Sequence, residues 1–114
     1  MGANLHLWLR YTLSTDELLF ATDMKDEAAV SLIESFLAGE RGQGADPMKA
    51  AESDVYNIRL RIDLEDDTIY TDHDCGNLGL RDGILAKALL KFEDKSARRV
   101  AAAELAPKEK GVGR

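Results

Sequence analysis

Two segments of this chain alternate apolar and polar residues at every second position, and this alternation constrains the fold more than any other feature. The clearer segment carries apolar residues at Tyr56, Ile58, Leu60, Ile62 and Leu64. The other carries them at Leu5, Leu7, Leu9, Tyr11 and Leu13. A period of two is typical of a β-strand with one buried face. The sequence therefore predicts two half-buried strands.

Each predicted strand is followed by turn-forming residues and a short second strand. Residues 14–16 and 65–67 are the turns, and residues 18–21 and 68–72 are the return strands. Apolar residues then recur at helical spacing, first at Ala29, Leu32, Ile33, Phe36 and Leu37, and later at Leu80, Ile84, Leu85, Ala88, Leu89 and Phe92. Asp23 and Asn77 are suitable N-caps for the two helices.

The predicted fold is α+β, a two-layer sandwich of order ββαββα with a four-stranded antiparallel sheet and two helices on one face. The two halves share a pattern, which indicates either duplication or two units that meet the same physical requirement. If residues 18–21 are not a strand, the order becomes βαββα and resembles a ferredoxin-like arrangement.

A chain of 114 residues suits a single domain, which we place at residues 1–94. Alanine-rich residues 95–106 predict a C-terminal helical extension, and residues 107–114 predict a mobile tail. Glycines and a proline within residues 39–54 predict a long mobile connection.

Cys75 is the only cysteine, so no intramolecular disulfide can form, and we expect a cytoplasmic location. No apolar run is long enough for a signal peptide or a membrane span, so no membrane association is expected. The net charge of −6 argues against nucleic acid as the partner.

Strand parity places a set of aromatic and basic residues on the sheet face that the helices leave uncovered. His6, Trp8, Arg10, Asn57, Arg59 and Arg61 should share this face, and Phe20 and Tyr70 are predicted to join them. Trp, Tyr and Arg often anchor protein contacts, which favours an interface with a second copy or another protein.

Two other interpretations of this face remain open. In the first, residues such as Asp63 neutralise the arginines, and the C-terminal helix covers Trp8. In the second, the aromatic residues stack on single-stranded nucleic acid while Arg59 and Arg61 contact phosphates. No RNA-binding signature accompanies the second.

Asp72, His73, Asp74 and Cys75 form the one cluster of side chains with catalytic or metal-binding potential. Consecutive residues on a strand alternate between faces, so they do not converge easily on one metal. Gly76, Gly79 and Gly83 match no phosphate-binding spacing, and no cofactor is expected. The leading hypothesis is a non-enzymatic, homodimeric interaction or regulatory module, with a small enzyme or metal-binding protein as the alternative.

Overall fold

The computed structural model describes residues 4–39, 54–75 and 78–105. In chain order, its elements are β1 (Asn4–Thr12), β2 (Glu17–Thr22), α1 (Asp26–Gly39), β3 (Val55–Asp63), β4 (Thr68–His73), α2 (Leu78–Glu93), β5 (Arg98–Arg99) and α3 (Ala102–Leu105). The predicted ββαββα order is confirmed. The βαββα alternative is wrong, because β2 is a strand. The predicted mobile connection after Gly39, the Asn77 cap and the predicted tail lie outside the described residues.

The five strands form one sheet in the order β4-β3-β1-β2-β5. The first four pair antiparallel, whereas β5 runs parallel to β2, so the predicted four-stranded antiparallel sheet is corrected to a five-stranded mixed sheet. The backbone N–H of Val100 donates to the carbonyl of Phe20 across 2.8 Å and extends this pairing. Because the chain after α2 satisfies backbone groups at the β2 edge, the described residues 95–105 of the predicted 95–106 helical extension are helical only in α3.

The hydrophobic core lies between the sheet and the two long helices. Leu7 and Leu60 of the central strands are completely buried on the helix-facing side, as their alternation with polar residues predicts. Ile33, Phe36 and Leu85 belong to the same cluster. One continuous core therefore contains side chains from both halves of the chain.

The two halves are structural repeats, which we call unit 1 (β1, β2 and α1) and unit 2 (β3, β4 and α2). Each strand residue of unit 1 corresponds to the residue 51 positions later, as Thr12 to Asp63 and Thr22 to His73, and both hairpins have the same register. In the helices the offset is 52, so the buried Ala29, Leu32, Ile33 and Phe36 correspond to the buried Arg81, Ile84, Leu85 and Ala88. Because β1 and β3 pair antiparallel, an approximate two-fold axis passes through the Trp8–Arg59 pair.

The hairpin turns repeat as closely as the strands. Asp16 and Asp67 end the two loops with φ values of 56° and 58°. Aspartate tolerates this left-handed conformation better than most residues do. The same turn in both hairpins explains why their strands pair in the same register.

A second pair of aspartates fixes the far end of each hairpin. Asp23 accepts a hydrogen bond from the backbone N–H of His6, and Asp74 accepts one from the N–H of Asn57, each across 2.8 Å. In return, the backbone N–H of each aspartate donates to the carbonyl of its partner. Asp23 was predicted to cap α1, but its carboxylate instead joins the end of the hairpin to the neighbouring strand β1.

Candidate functional site

The sheet face opposite α1 and α2, called the outer face, carries the residues that the sequence analysis selected. Its central rows are the directly paired His6–Arg61, Trp8–Arg59 and Arg10–Asn57. Tyr70 and Asp72 of β4 extend these rows, because they pair with Arg61 and Arg59. The sheet thus brings Trp8, Arg10, Arg59, Arg61 and Tyr70 together on one surface.

Phe20 does not lie on the outer face, and this part of the prediction is corrected. The β1–β2 register pairs Phe20 with the core residue Leu9. Its ring is 3% exposed and packs at 4.6 Å, centroid to centroid, from Phe92 of α2. The residues of β2 that share the outer face are Leu19 and Ala21, the partners of Arg10 and Trp8.

The three arginines of the outer face have different partners. Arg59 forms an ion pair with Asp72, whereas one interpretation of the sequence named Asp63 as an example of a neutralising residue. Arg10 donates to the amide oxygen of Asn57 at 3.0 Å, and Arg61 donates to the amide oxygen of Asn4 at the same distance. Neither Arg10 nor Arg61 has a carboxylate partner in the part of the chain that the structure describes. Amide oxygens therefore hold both guanidinium groups in place, and no carboxylate of the described residues neutralises their positive charge.

Aromatic rings lie beside these charges. Trp8 stacks on His6 with ring centroids 5.0 Å apart, and the guanidinium of Arg61 lies 4.2 Å from the centre of the Tyr70 ring. The indole Nε1 of Trp8 is buried and has no hydrogen-bond acceptor among the described residues. Buried indole N–H groups usually have an acceptor, so this unpaired donor costs desolvation free energy.

The chain after α2 crosses the β2 edge and places α3 against β1 and β2. Leu105 is 8% exposed there, so α3 covers part of the outer face. Between α3, the middle of β1 and β3 and the end of β4 lies a groove of about 770 Å³, which we call the outer groove. Its lining includes Trp8, Arg10, Arg59, Asp74 and Glu104.

The Asp72–Cys75 cluster does not converge on one point. Asp72 faces outward to Arg59, whereas Asp74 binds the backbone and side chain of Asn57. The Nδ1 atom of His73 accepts from the backbone N–H of Cys75. No group of three His, Cys, Asp or Glu side chains arranged to hold a metal occurs within residues 4–39, 54–75 and 78–105.

The electrostatic environment opposes nucleophilic chemistry at this cluster. Burial, followed by the nearby Asp74 charge, raises the pKa of the Cys75 thiol to about 12. Burial, followed by the charge of Arg81, lowers the pKa of His73, so the imidazole is neutral at neutral pH. At that pH Cys75 is a buried thiol, and the thiolate is the nucleophilic form.

We expect Cys75 in the folded protein to react with iodoacetamide at pH 8 at least roughly 100-fold more slowly than a free cysteine, because its thiolate is scarce and its sulfur is buried. Mass spectrometry over a time course measures the rate. The same protein in concentrated urea, where the side chain is exposed, is the control and should be alkylated fully. Fast alkylation without denaturant would contradict this description of the site.

Sequence reasoning missed the structural roles of Asp23 and Asp74. A signal was present, since the two aspartates occupy corresponding positions of the repeat, as do Asp16 and Asp67. It also missed Arg81, which is 6% exposed and lies 4.8 Å from the centre of the Phe36 ring.

The described helices include none with the length and apolar character needed to span a membrane. No protein-family model, curated protein or solved structure matches this chain, so its function must be inferred from its own geometry.

Proposed function

We propose that this protein is a non-enzymatic interaction module that forms a homodimer through its outer face. The observation that carries the proposal is the pair Arg10 and Arg61, which flank Trp8 and Arg59 at corresponding positions of the two units. Both guanidinium groups are held by amide oxygens and lack a carboxylate partner among the described residues. Aromatic and arginine side chains of this kind are frequent anchors of protein interfaces.

A second copy fits the charges of this surface. Asp74 and Glu104 line the outer groove and form no ion pair with another described residue. The outer side thus carries arginines and carboxylates that form no ion pair within the described chain. A two-fold contact can place the arginines of each copy against the carboxylates of the other.

The same charges make nucleic acid a weaker candidate. Asp72, Asp74 and Glu104 all line the groove that a base would have to enter. Carboxylates there would repel the phosphate backbone, and the net charge of −6 adds to that repulsion.

We expect the wild-type protein to be a dimer by light scattering on a size-exclusion column over a concentration series. Trp8→Glu should weaken self-association by roughly 30-fold or more, because it places a charge at the centre of the contact. Leu90→Glu is the matched control, since Leu90 is 62% exposed on α2, outside the outer face. That variant should remain dimeric.

Circular dichroism must show that both variants are folded. A wild-type monomer at every concentration would refute the homodimer, and a dimer that Trp8→Glu leaves intact would place the contact elsewhere. Raising the salt concentration should weaken the wild-type dimer, because part of the contact is between charged groups.

A further inference from the structure

The two units correspond in strand register and in the positions of their buried helix residues, so the places where they differ are informative. In unit 1 three side chains contact the carboxylate of Asp16 in the hairpin turn. The Tyr11 hydroxyl donates to it, the Nζ of Lys91 lies 3.0 Å away and the Nζ of Lys87 lies 3.5 Å away. The Tyr11 hydrogen bond, followed by the one from Lys91, lowers the pKa of Asp16 to about 2. Helix α2 is thereby tied to the turn of the β1–β2 hairpin.

Among the described residues, the counterparts of these groups are missing from the corresponding end of unit 2. Asp67 occupies the place of Asp16, but Ile62 replaces Tyr11. Ser35 and Gly39 of α1 replace Lys87 and Lys91. Within the described part of the chain, the Asp67 carboxylate has no hydrogen-bond or ion-pair partner.

Two further described positions at this end carry smaller side chains than their counterparts. Leu5 stands where the other end has Tyr56, and Ala28 stands where it has Leu80. The result is a groove of about 1000 Å³ between α1 and the β3–β4 hairpin, which we call the α1 groove. Its lining is largely apolar, with Leu5, Leu32, Ile62 and Ile69 contributing, and Asp67 belongs to it.

We propose that the α1 groove binds an amphipathic helical segment of a partner protein that presents lysines to Asp67 and apolar side chains to Leu5, Ile62 and Ile69. The charge of Asp67 selects a basic partner, and the other end of the molecule is the template for the lysine–carboxylate pairing, which α2, the counterpart of α1, makes there within the chain. There, two lysines one helical turn apart, Lys87 and Lys91, reach the equivalent carboxylate. This site lies on the opposite side of the sheet from the outer face, so it is independent of the proposed dimer.

The sequence of α2 provides a peptide with which to test the proposal. A fluorescently labelled synthetic peptide with the sequence of residues 78–95 carries both lysines at the required spacing. We expect it to bind the full chain, as measured by fluorescence anisotropy. Asp67→Asn should weaken binding roughly fivefold or more, because the charge that faces the lysines is removed. Asp66→Asn is the matched control, since it changes the neighbouring carboxylate of the same turn, which does not line the groove.

Ser35→Lys provides a second, independent variant. Ser35 is exposed, so the substitution should leave the fold intact, and the new lysine would occupy the position of Lys87 in the other unit. It should pair with Asp67 within the chain and abolish peptide binding. A peptide with both lysines replaced by glutamine should not bind the wild-type protein.

Three results would overturn the proposal: no binding of the peptide at concentrations up to about 1 mM, a level typical of weak contacts, equal binding to wild type and Asp67→Asn, or loss of binding on Trp8→Glu. The last result would indicate that the peptide binds to the outer face and not to the α1 groove.

Discussion

Replacing Phe36 with alanine should lower the free energy of unfolding by about 3 to 5 kcal/mol. Phe36 heads the fully buried side chains by volume and is 1% exposed in the core cluster. Its removal leaves a cavity and takes the ring away from the buried guanidinium of Arg81. Domains are stable by only about 5 to 15 kcal/mol, so this loss is a large fraction of the total.

Urea denaturation followed by far-UV circular dichroism measures the effect. Leu90→Ala on α2 is the control, because Leu90 is exposed and its truncation should change stability by less than about 0.5 kcal/mol. A loss below about 1 kcal/mol for Phe36→Ala would mean that the ring does not lie in a close-packed core.

Ile33→Ala and Leu85→Ala should each cost about 2 to 5 kcal/mol, and each should leave a single unfolding transition. The two residues occupy corresponding positions of α1 and α2, and both are 0% exposed. The reason for one transition is structural, since β1 and β3 pair along their whole length across the boundary between the units. Neither unit can bury its apolar surface without the other.

Two probes test this cooperativity. Trp8 lies where β1 of unit 1 pairs with β3 of unit 2, so its fluorescence follows the contact between the units, whereas circular dichroism follows the secondary structure of both. We expect the two curves to coincide in wild type and in both variants. If Leu85→Ala shifted the circular dichroism curve and left the fluorescence curve unchanged, the units would unfold separately.

The strands and long helices were predictable because their patterns are long. Nine-residue strands such as β1 and β3 show several periods of alternation, and the apolar face of α1 spans most of its length. Tertiary context does not override a pattern repeated so often. The same periodicity placed Trp8, Arg10, Arg59 and Arg61 on one face of the sheet.

Features that depend on single contacts were not predictable. The parity of β2 follows from the turn that ends at Asp16, and the short strand alone did not reveal that Phe20 faces the core. The two residues of β5 lie in an alanine-rich segment and become a strand only because the β2 edge is adjacent. Local helix propensity yields to this pairing.

The repeat was visible in the sequence, but the positions at which the two units differ could be interpreted only once the structure showed which residues correspond. Ser35 and Gly39 are unremarkable small residues on a helix until they are compared with Lys87 and Lys91. The comparison requires the helix offset of 52, which differs by one from the strand offset and would not be found by simple alignment of the two halves.

The parallel pairing of β5 with β2 also determines when the sheet can be completed during synthesis. The ribosome makes residues 98–100 after both hairpins and both long helices, so the β2 edge stays open until that segment emerges. Until then a nascent chain exposes two unpaired edges, and unpaired edges recruit strands from other molecules. Once β5 has docked, the described sheet ends at β4 on one side and at the two-residue β5 on the other. The outward Asp72 places a charge on the β4 edge, which discourages further pairing there.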